Sequence, residues 1–108
     1  MDDGYATAEA AVALPALLVV LGLALGALVT VNGQLRCVDA ARAGARVAAR
    51  GDTDVAASRA AAELAPEGAE VRVRRAGEDV TVTVTVTLRA GRWLPGVPLS
   101  ASATAEAE

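Results

Sequence analysis

Three features of the chain predict an α+β fold. Residues Ala10–Val31 form an unbroken uncharged run that is apolar on every side. The stretch beyond it, as far as Arg50, keeps helical spacing. From Val71 onward the apolar residues recur every second position. The expected architecture is a long N-terminal transmembrane α-helix that continues into a soluble part. There a second short helix packs on a small antiparallel sheet of about three strands.

The first element follows from length. The 22 residues of the uncharged run span about 33 Å as a helix, against a hydrocarbon core of about 30 Å. A buried core helix is the alternative, but such segments are expected at roughly 10–14 residues. A secretory signal peptide calls for a basic n-region, where this chain has Met1-Asp2-Asp3-Gly4. A lipoprotein anchor calls for small residues before Cys37, where Gln34-Leu35-Arg36 stands. A retained membrane helix fits best. Pro15 withdraws a hydrogen bond from the Ala11 carbonyl and is expected to bend the helix. Gly22 and Gly26 form a G-x-x-x-G pair, read either as a close helix contact or as a product of Ala/Gly-rich composition.

Past the run, Leu35, Val38, Ala41, Ala45, Ala48 and Ala49 fall near one helical face. Arg42, Arg46 and Arg50 recur every four residues on another, as a solvated face or as a contact with anionic lipid. Asp39 precedes Arg42 by three, the spacing of a weak surface pair. A single helix from Ala6 to Arg50 would be about 68 Å long. Gly51-Asp52 ends it. Asp52-Thr53-Asp54 offers N-caps for a second helix, Val55–Ala65, which Pro66 and Gly68 terminate.

The strands follow. Val71 and Val73 alternate with Arg72 and Arg74, and Ala76-Gly77-Glu78-Asp79 reads as a turn. Val80, Val82, Val84, Val86 and Leu88 alternate strictly with Thr81, Thr83, Thr85 and Thr87, the pattern of a half-buried strand with a solvated hydroxyl face. Ala90–Pro98 is read as a loop, and Leu99, Ala101, Ala103 and Ala105 as one face of a third strand. A core of Val and Ala is thin. Trp93 is expected to be its largest contributor, or else an anchor for a partner. Cys37 is read as a small helix-packing residue, with an intermolecular disulfide as the alternative.

Composition narrows the functions. The chain has no His and one Cys, so no zinc or haem cluster is expected. Neither a Ser–His nor a Cys–His pair can form. Net charge is −3 and the aromatics are Tyr5 and Trp93 alone, which disfavours nucleic-acid binding. No catalytic residue, metal, cofactor or small-molecule substrate is expected, and the chain is not read as an enzyme.

Gly4 precedes Glu9 by five residues, and the apolar run follows at once. This resembles the class III leader of type IV prepilins. Glu9, the apolar residues to Pro15 and the Leu-rich helix beyond look like the TadE/TadG-type minor pilins of tight-adherence pilus systems. Gln34 to Arg46 is similar to the actinobacterial version of that family. The resemblance is close to about Arg50 and holds only in outline beyond. It implies a pilin-like fold and cleavage by a membrane aspartyl peptidase between Gly4 and Tyr5. Glu9 would become the fifth mature residue, able to pair with the new α-amino group of a neighbouring subunit. It adds contact with another pilin as a role for the arginine stripe. The chain departs from the family's pattern in having Ala10 where an aromatic is common, and a short acidic leader where a longer basic one is usual. The true leader would then lie upstream.

Orientation is contested. Arg36, Arg42, Arg46 and Arg50 follow the run, so the positive-inside rule places the C-terminal part in the cytoplasm. The resemblance places it outside, and a missing basic leader would account for the imbalance. The expected organisation is a leader at 1–4, a transmembrane helix at 5–31, an extracytoplasmic helical part at 32–66 and a β-meander at 69–108. The expected function is that of a structural minor pilin, single-pass in the bacterial cell membrane, with other pilin subunits and the prepilin peptidase as partners. The alternative is a single-pass envelope protein whose sheet domain recruits a protein partner without filament assembly.

Overall fold

A computed structural model describes residues 2–89 and 95–106. It contains α1 (Asp2–Ala49), α2 (Asp54–Leu64), β1 (Glu70–Ala76), β2 (Asp79–Leu88) and β3 (Val97–Glu106), an α+β fold. The chain divides into two compact units, Met1–Val31 and Asn32–Glu108. Trp93 and most of the expected loop before β3 lie outside the described residues.

The first unit is helix throughout its described length, and the helix continues through Pro15. Its apolar side chains are open on all sides. Every Leu and Val from Val12 to Val31 is more than half exposed, between 54% and 75%.

The second unit is built on the sheet. Its strand order is β1-β2-β3 with both pairings antiparallel. Ala76 pairs with Asp79 around the two-residue turn Gly77-Glu78. Gly77 has φ +62°, and no non-glycine residue among those described has a positive φ, which fits a hairpin turn with glycine at its first central position. In β2 the alternation predicted from Val80 onward is observed: Val80, Val82, Val84 and Val86 are buried, and the intervening threonines face outward. On that outer face Thr81 and Thr104 share a hydroxyl hydrogen bond of 3.0 Å across the β2–β3 pair.

β3 starts at Val97, so two residues that read as loop in the sequence belong to the strand. Pro98 pairs with Thr87 there. β3 is an edge strand, where a residue without an N–H is tolerated.

The Asn32–Ala49 part of α1 and the Ala57/Ala61 face of α2 supply the layer above the sheet. Cys37, Ala40, Ala41, Ala45, Ala61 and Ala65 form one core with Val82, Val84, Val86 and Leu99. Ala48, Ala57 and Val80 form a second cluster. Of the α1 face read from the sequence, Ala41, Ala45 and Ala48 are buried and Val38 and Ala49 half-buried, but Leu35 needs correction. Leu35 is 58% exposed, and the buried positions include Gly33, Cys37, Ala40 and Gly44. Residues without bulk line this face because the layers approach closely. A Cβ on Gly44 would lie 3.0 Å from Val82 Cγ1, 3.1 Å from the Ala57 carbonyl oxygen and 3.2 Å from Ala61 Cβ.

Local signals set the second helix. Thr53 is its N-cap, and its hydroxyl accepts from the Ala56 N–H at 3.1 Å. The helix ends at Leu64; Ala65 leaves it in an extended conformation and Pro66 follows.

Candidate functional site

Gly4, Tyr5 and Glu9 all lie on α1 and are exposed, Tyr5 to 76%. A Cβ on Gly4 would meet no atom within 4 Å. The Gly4–Tyr5 bond lies near the start of the helix, where the first four N–H groups have no helical acceptor. A peptidase that cuts here needs the chain opened to an extended form. Thr7 adds one local restraint, its hydroxyl donating to the Asp3 carbonyl at 2.8 Å.

Gly22 and Gly26 are equally open, since a Cβ added at either would have nothing within 4 Å. Thr30 turns its hydroxyl back onto the Gly26 carbonyl at 2.9 Å, which satisfies that polar group within the helix. The structure thus leaves the first unit as one helix long and apolar enough to cross a membrane. Contiguous apolar surface on this scale marks a membrane or protein contact.

In the second unit no polar or charged side chain is buried among the described residues. Nor do three His, Cys, Asp or Glu residues gather there into a metal-binding group. Cys37 is fully buried. Burial pushes its thiol pKa up, and the Arg36 charge beside it pulls back more weakly. The thiol is therefore protonated at neutral pH and sealed from solvent. Helix packing is the role this geometry gives it, and the intermolecular disulfide lacks the access it needs.

Arg42, Arg46 and Arg50 are exposed, as their spacing predicts. The ion pairs among the described residues are Arg72–Glu70 and Arg75–Asp54, so the expected Asp39–Arg42 pair is not formed. Three polar ties were not anticipated from sequence. Arg36 donates to the Ala65 carbonyl at 3.1 Å and fastens α1 to the end of α2. Arg75 donates to Asp54 Oδ1 at 2.7 Å and to the Asp52 carbonyl at 3.2 Å, joining β1 to the start of α2. Gln34 donates to the Ser100 carbonyl at 3.0 Å. Their partners lie 21 to 66 residues away in sequence, and no local pattern announces them.

These features define a class: an α+β protein with a membrane-length apolar helix and a small helix-on-sheet unit. The chain is 45% identical over 104 residues to a Mycobacterium tuberculosis (strain ATCC 25618 / H37Rv) protein named apoptosis inhibitor Rv3655c, a match covering 93% of this chain and 77% of that protein. It belongs to that protein's family. No family model matches the chain. No solved structure matches it either.

Proposed function

We propose that this chain is a membrane-anchored structural subunit of TadE-like minor pilin type, acting in the assembly of a tight-adherence pilus or a related secretion apparatus. It is not an enzyme in this reading. One observation carries the proposal: Gly4 and Glu9 stand five residues apart at the head of a 22-residue uncharged run whose large apolar side chains are all exposed. Cleavage after Gly4 frees an α-amino group on Tyr5. A neighbour's Glu9 carboxylate then accepts a charge-assisted hydrogen bond from it, fixing the stagger of adjacent helices. The second unit lies outside the cytoplasm.

Co-expression with the cognate prepilin peptidase tests this. Mass spectrometry of the membrane fraction is expected to find a mature chain beginning at Tyr5. Gly4→Val is expected to block the cut and leave membrane insertion unchanged. An intact N-terminus beside an active peptidase refutes the pilin assignment. The second reading would then stand: an anchored envelope protein whose sheet domain recruits a protein partner.

A further inference from the structure

The second unit carries a groove between α1 and α2, lined by Ala43, Val47, Ala60 and Leu64, with Arg46 and Arg50 on one wall and Glu63 on the other. Leu64 is 46% exposed. Like most charged residues of the unit, none of the three belongs to an ion pair among the described residues. The groove thus offers an apolar floor with unpaired charges of both signs on facing walls.

We propose that this groove is the contact surface for a second copy of the chain, each copy's Glu63 meeting Arg46 or Arg50 of the other across a two-fold axis. An isologous contact must be complementary to itself, so a patch that carries charge needs both signs within it. A uniformly basic groove would repel its own copy. Here the carboxylate on α2 and the guanidinium groups at the C-terminal end of α1 and just past it exchange partners, while Leu64 and Ala60 of each copy cover the other's floor. The patch is small beside the roughly 1,200 Å² at the lower end of stable protein interfaces. Tethering compensates: two chains anchored in one membrane meet at high effective concentration, so weak contacts suffice. This last step rests on the membrane-anchored reading above.

Full-length chain in its native membrane tests the pairing. Ala60→Cys or Val47→Cys supplies a thiol in the groove for a short bismaleimide, and buried Cys37 serves as the silent background. The expected product is a cross-linked species of twice the chain mass. Glu63→Arg is expected to lower its yield roughly tenfold, because attraction becomes like-charge repulsion at both symmetric positions. Arg46→Glu with Arg50→Glu is expected to do the same, and all three reversals together to restore the yield. Arg46, Arg50 and Glu63 are exposed and Val47 and Ala60 half-buried, and circular dichroism is expected to show each variant folded. Absence of the dimer, cross-linking to a different protein instead, or failure of the triple reversal to restore it would overturn the proposal. Alkaline extraction of the same membranes reads the anchor separately. A chain released by it refutes membrane anchoring, while the cross-link still decides the pairing.

Discussion

Gly44 is the position at which the closeness of the two layers can be measured. Gly44→Val places a Cβ at 3.0–3.2 Å from Val82, the Ala57 carbonyl and Ala61, and then adds two methyl groups. The carbonyl is helix backbone and cannot turn aside. Replacing glycine within a helix gains roughly 0.4 kcal/mol of propensity for valine and about 1 kcal/mol for alanine. Overpacking a close-fitting core opposes this by about 1–3 kcal/mol. For Gly44→Ala the effects nearly cancel. For Gly44→Val the crowding wins, with a net loss of roughly 2 kcal/mol. In a domain of this size that lowers Tm by about 10 °C. Gly26→Val is the matched control, since nothing lies within 4 Å of its Cβ. The assay is thermal unfolding of full-length protein in detergent by circular dichroism, with hydrogen exchange of the Val82–Val86 amides as a local readout. A Gly44→Val protein that melts at or above the parent's temperature would refute the close approach of α1, α2 and β2.

Four further outcomes are expected. Cys37 should resist maleimide in the folded protein and react fully in denaturant, so an orientation assay needs a cysteine added on the surface instead. Its raised thiol pKa means the native state holds that proton more tightly than the unfolded chain, so its stabilising contribution is intact below pH 9.0 and declines as pH rises beyond it, a trend that Cys37→Ala should remove from unfolding curves. Thr53→Ala should destabilise the second unit by about 1 kcal/mol through loss of the N-cap, whereas Thr53→Ser should be nearly neutral in denaturant titrations. Glu9→Gln should leave membrane insertion and cleavage unchanged yet sharply reduce co-purification with other pilins; normal assembly at equal expression would remove the α-amino pairing mechanism.

The parts legible in the sequence are those with chemical contrast along the chain. β2 alternates valine with threonine, two side chains of similar shape and opposite polarity, so its period and phase are both plain. Thr53 and Gly77 sit where capping and turn chemistry restrict the choice of residue. Contrast fails in the Asn32–Ala49 part of α1, where alanine lies on nearly every face. The period and most of the phase are still visible there, with Ala41, Ala45 and Ala48 buried as read, but Leu35, as the largest apolar residue, reads as facing inward. Packing reverses that choice, because the sheet admits the face with the smallest side chains. In sequence Arg36 is only a charge following the apolar run; its bond to the Ala65 carbonyl depends on how α2 returns past α1. Pro98 reads as loop because proline usually ends strands, and only its place at the sheet's edge explains its inclusion.

That edge has a consequence for handling the protein. From Leu99 to Ala105, β3 carries no charge and small side chains, and beyond it the sheet has no further strand among the described residues. Such an edge is a template for strand addition, and thus a nucleus for aggregation. Its gatekeepers are Pro98 at one end and Glu106 at the other, with the Gln34 amide occupying the Ser100 carbonyl between them. A fragment trimmed past Gln34 loses that cover and should form thioflavin-positive fibrils sooner than one beginning at Asn32.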